Sequence, residues 1–166
     1  MRRRPRASQQ IRANRRRVAG IWYPIVAGKR LRKGSDTVAT EKSVLWGTEP
    51  DEHDYPAAAD YLALLAKPGQ VNEIVSALKK APIVYKKAKD LLRASRLALL
   101  PTDEAHVAED LAKIKKGKQL SPILVVRGDL TTDVALQIAD GYHRVCASYH
   151  TDENTDIPVK IVPAAD

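Results

Sequence analysis

Residues 138–144 read Ile138-Ala139-Asp140-Gly141-Tyr142-His143-Arg144: an apolar strand end, an Asp-Gly turn and the opening of a helix. The free amides and the positive dipole end of a helix start attract phosphate. Gly141 lets the backbone approach a ligand closely, Arg144 can hold two oxygens at once, and His143 adds a second donor. Many strand-to-helix turns carry a glycine and one basic residue, so the pattern marks a candidate site and is weak alone.

Before this stretch, Ser121-Pro122-Ile123-Leu124-Val125-Val126 is a nearly continuous apolar run of strand length, which suits a strand buried on both faces. Gly128 to Thr132 turns the chain, and Val134 to Ala139 returns as a second strand. The helix opened by Gly141 runs to about His150, the acidic segment Asp152 to Asp156 turns again, and Ile157-Pro158-Val159-Lys160-Ile161-Val162 forms a third strand. Upstream, Thr102-Asp103-Glu104 is a good helix start, because short polar side chains satisfy free amides and acids suit the positive end of the dipole. His106, Val107, Leu111 and Ile114 continue that helix to about Gly117. The order helix, strand, strand, helix, strand places the domain in the α/β (α+β) class.

Earlier still, Ala58, Tyr61, Leu62, Leu64 and Leu65 form one apolar helical stripe, and Val71, Ile74, Val75 and Leu78 form a second before Pro82. Ile83-Val84-Tyr85 fits a short strand or the approach to a third helix, in which Ala88, Leu91 and Leu92 face inward. Three regions follow: a basic tail over 1–43, a helical extension over 44–84 and the α/β domain over 85–166. The tail lacks sustained periodicity and reads as disordered.

Residues 1–34 hold twelve Lys and Arg residues and no acid, so a net charge of +8 for the chain leaves −4 for the remainder. Broad attraction to DNA would therefore come from the tail, with Arg2, Arg3, Arg4, Arg15, Arg16 and Arg17 as its candidate contacts. The same stretch also fits a solvated tail, or translated upstream sequence ahead of a start nearer Val38. No apolar run approaches the roughly 20 residues needed to span a bilayer. The amino terminus also lacks the apolar stretch of a secretory signal, so a cytoplasmic protein without a membrane partner is expected. A single cysteine, Cys146, permits neither an internal disulfide nor a thiolate metal cage. Nothing in the residues sets the oligomeric state.

From Asp103 to Val162 the chain resembles the ParB/sulfiredoxin superfamily, which includes the ParB-like nuclease domains. The residues that carry the resemblance are Asp103-Glu104-Ala105-His106-Val107, Leu120-Ser121-Pro122-Ile123-Leu124-Val125, Ile138 to Arg144 and Ile157-Pro158-Val159. The resemblance implies a small mixed sheet with helices and a nucleotide, di- or triphosphate, whose phosphates lie over Gly141, Tyr142, His143 and Arg144. It also makes His106 a candidate, since sulfiredoxins project a basic residue from the start of the preceding helix. Lys113, further along that helix, is another candidate, and both fit equally an ordinary solvated face.

Departures from the pattern matter as much. Sulfiredoxins resemble Gly-Cys-His-Arg, and Tyr142 stands in place of the reactive cysteine here. Cys146, four residues on, reads as a buried core thiol. Chromosome-partitioning members resemble Gly-Glu-Arg-Arg and continue into a helix-turn-helix reader that this sequence does not show. The family's free serine kinases resemble the Asp-Gly-x-His-Arg form more closely. Asp140 is thereby open to three roles: capping the helix, holding a magnesium ion that bridges phosphates, or acting as a catalytic base. The expectation is a nucleotide-binding module. Its alternatives are a ParB-like nuclease or nucleotide-dependent phosphotransferase, and a DNA-associating protein acting through its tail.

Overall fold

The computed structural model describes residues 43–165, so the arginines expected to contact DNA, Arg2 to Arg17, lie outside the described residues. The described residues form five helices and four strands. They are α1 (Asp54–Leu62), α2 (Pro68–Lys80), β1 (Ile83–Lys87), α3 (Ala88–Ser95), α4 (Ala105–Lys115), β2 (Ile123–Val126), β3 (Gln137–Asp140), α5 (Tyr142–Thr151) and β4 (Asp156–Val162). The strands form one mixed sheet in the order β1-β4-β2-β3. β2 runs parallel to β4 and antiparallel to β3, and β1 pairs antiparallel with β4. The protein is therefore mixed α/β, and its second half has the expected order of helix, strand, strand, helix, strand.

All four β2 residues are buried because β2 lies between β4 and β3 with helices on both faces. Side chains alternate along a strand, so each strand serves two cores. Ile123, Val125, Ile157 and Val159 pack with Leu91, Leu92, Val107, Ile114 and Val145 from α3, α4 and α5. Leu124, Val126 and Val162 pack on the other face with Ala58, Leu62, Val71, Ile74 and Leu78 from α1 and α2. Residues 44–84 thus share a core with the sheet. Lys160 of β4 points to the same side, where its ammonium reaches Glu49 Oε2 at 2.7 Å and the Lys79 carbonyl at 3.1 Å. Those partners let a buried cation sit beside an apolar layer.

Two local expectations shift and one open choice is settled. Leu64 and Leu65 leave the apolar stripe, with Leu64 82% exposed, because α1 ends at Leu62. The following turns, closed by Leu64 N–H to Tyr61 O and Leu65 N–H to Leu62 O, rotate both side chains outward. Ile83 to Lys87 is a strand, and α3 follows it directly. The second expected strand starts late, at Gln137, since Val134 is used in a tight pairing with Asp129. Gly128 makes that turn possible: a Cβ there would lie 2.4 Å from the Val134 carbonyl oxygen. No described helix is long and apolar enough to cross a membrane.

Candidate functional site

β3 delivers Asp140 to the sheet end, and Gly141 reverses the chain into α5 with φ at +98°. Only glycine takes this conformation without strain, and a Cβ would also fall 2.4 Å from Ile123 Cδ1. No side chain caps α5. Its opening amides therefore have no side-chain acceptor, and the capping role open to Asp140 is not the one it takes.

Beside this helix start lies a cleft of about 480 Å³. Asp140, Gly141, His143 and Arg144 line one wall, His106, Glu109, Asp110 and Lys113 of α4 another, and Lys118 to Ser121 with Asp51, His53 and Asp54 complete it. Six of the seven residues singled out in the folded part are brought together here. Tyr142 is the exception, because its hydroxyl turns away to donate to the Ala98 carbonyl. Cys146 is fully buried, and burial pushes its thiol above the usual range.

The His106 and His143 rings meet at a centroid distance of 4.9 Å, each carried in the first turn of its helix. Glu104 caps α4, accepting from the His106 and Val107 amides at 3.0 and 2.9 Å, and lies 3.8 Å from His143 Nε2. The Val107 amide, chiefly, holds the Glu104 carboxyl below its ordinary range. Within the expected start Thr102-Asp103-Glu104, the cap is Glu104. Lys113 is drawn to Asp110 at 2.9 Å and Glu109 at 3.4 Å, and the Asp110 hydrogen bond raises its pKa.

Arg144 has a different setting from the open phosphate contact that the motif suggests. Only 13% of its side chain is exposed. Its guanidinium donates to the Ser121 carbonyl at 2.9 Å, to Asp54 at 3.2 and 3.4 Å, and to Asp140. Asp54, 3% exposed, also accepts from the Asp51 amide at 2.9 Å and from the Ser121 hydroxyl. Asp54 was not expected at this site. It stands ninety residues before Arg144, and the only available signal was the acidic run Asp51-Glu52-His53-Asp54 just ahead of a helix.

One guanidinium thus serves two carboxylates, and they divide the charge unequally. Burial, with the neighbouring Asp54 charge, pushes Asp140 from its ordinary 3.8 up to about 6, despite the pull of Arg144. Burial also opposes the Asp54 charge, but the Ser121 hydroxyl, Arg144 and the Asp51 amide outweigh it and hold that carboxyl below its ordinary range. The fold therefore favours protonated Asp140. Its contribution to stability is full below about 3.8 and is lost as pH rises through about 6. Asp54 acts in the opposite sense, and its contribution is lost only as pH falls below the ordinary carboxylate range. Asp140→Asn should therefore stabilise the protein more at pH 7.5 than at pH 4. Urea denaturation of both proteins at the two pH values measures this, and a gap that does not widen with pH would refute it.

A magnesium ion at Asp140 would have to compete with the guanidinium already on its Oδ2. Among the described residues no three His, Cys, Asp or Glu side chains converge to hold a metal. No protein-family model, curated protein or solved structure matches the chain.

Proposed function

We propose that the protein is a nucleotide-binding module of ParB/sulfiredoxin-like architecture, with the ligand's phosphates at the start of α5. The observation that carries this reading is the convergence of Gly141, His143 and Arg144 with His106 and Lys113 on one cleft, although α4 and α5 are separated by two strands in sequence. The uncapped amides of α5 and the paired imidazoles supply donors where phosphate oxygens would sit. Lys118, exposed and lining the same cleft, adds a further cation. A titratable carboxyl in the same cleft, Asp140, favours one second reading, a phosphotransferase in which it takes the proton from an acceptor hydroxyl.

The test is a calorimetric titration of the protein with ATP, ADP, CTP and GTP, followed by the tightest binder against His143→Ala. The variant should lose on the order of 1.5–3 kcal/mol of binding, the range for a hydrogen bond to a charged group. Undiminished affinity in a folded His143→Ala protein would remove the phosphates from this helix start. Phosphate released or transferred during the same titration would favour the phosphotransferase.

A further inference from the structure

Resting on the nucleotide reading above, we propose that Asp54 is a resident competitor for the ligand: its carboxylate occupies the face of Arg144 that a phosphate oxygen takes when the cleft fills. The contacts of Arg144 are unequal. Its bond to the Ser121 carbonyl is 2.9 Å, whereas Asp54 stands off at 3.2 and 3.4 Å. Charge-assisted bonds of this kind usually lie at about 2.7–2.9 Å, so Asp54 is the partner most easily exchanged.

Exchange does not strand the carboxylate. Asp54 keeps the Asp51 amide and the Ser121 hydroxyl after the guanidinium leaves, which lowers the cost of a buried charge without its cation. Asp54 is also the first residue of α1, and Arg144 belongs to the first turn of α5. Filling the cleft therefore loosens the start of α1, and the helical pair on the far face of the sheet registers whether the site is occupied.

Inorganic tripolyphosphate is the probe, because it carries the phosphates without depending on the identity of the base. In full-length protein, Asp54→Asn keeps an acceptor for Ser121 and removes the competing charge. It should tighten tripolyphosphate binding about tenfold, equivalent to about 1.4 kcal/mol. Adding Arg144→Gln should abolish that gain. A second measurement needs no substitution: saturating tripolyphosphate should speed hydrogen exchange at amides 54–57 of the wild-type protein. If the wild type binds a nucleotide but neither the affinity nor the exchange responds in this way, the competition is overturned and the nucleotide reading stands. Binding of neither tripolyphosphate nor any nucleotide overturns both.

Discussion

Replacing Arg144 with Ala should destabilise the protein by about 3–5 kcal/mol, the cost of leaving a buried charge without its partner. The guanidinium is nearly enclosed, and it is the cation shared by Asp54, 3% exposed, and Asp140, 18% exposed. Its removal leaves two carboxyls close together with no cation between them, and it also frees the Ser121 carbonyl that ties the loop before β2 to α5. Domains of this kind have about 5–15 kcal/mol of stability in total, so the loss takes a large share of it. Arg144→Lys should recover only part, since a single ammonium cannot span two carboxylates and a carbonyl in the manner of a planar fork. Urea denaturation near neutral pH measures both variants. An Arg144→Ala protein within about 1 kcal/mol of wild type would mean that the shared ion pair contributes little.

The second large effect is expected in the core beneath the cleft. Ile123 is fully buried and belongs to the cluster that joins α3, α4 and α5 to the sheet. Its Cδ1 also fills the space that a side chain at position 141 would need. Ile123→Ala removes transfer free energy and leaves a cavity under the Gly141 turn, for an expected cost of about 2–5 kcal/mol. Because that turn sets the direction of α5, ligand affinity should fall as well. A loss well below this range in urea denaturation would show that the neighbours close over the gap.

Sequence and structure agree where hydrophobic periodicity is strong and local. The apolar run Ile123 to Val126 suited a strand buried on both faces, and the Asp-Gly turn after Ile138-Ala139 suited a change of direction into a helix; both are found. The convergence of His106 with His143 was legible only through the resemblance, since nothing in the spacing of two residues thirty-seven apart brings their rings together. The setting of Arg144 was not legible at all. A motif shows which residues stand at a helix start, but it does not show which distant carboxylate reaches them. Asp54 arrives through the packing of α1 on β3, a contact decided by the opposite face of the sheet. Leu64 and Leu65 misled for a related reason: a helical stripe can be extended on paper past the residue where the helix stops.

If phosphates bind where α4 and α5 begin, nuclear magnetic resonance of the nitrogen-labelled full-length chain will register them there. Titration with the nucleotide that binds should shift the amides of Gly141, Tyr142, His143 and Arg144 together with those of His106 and Val107, while the amides of β1 stay in place. Saturable shifts confined to other parts of the chain, or no shifts at millimolar nucleotide, would rule out phosphate binding at these helix starts.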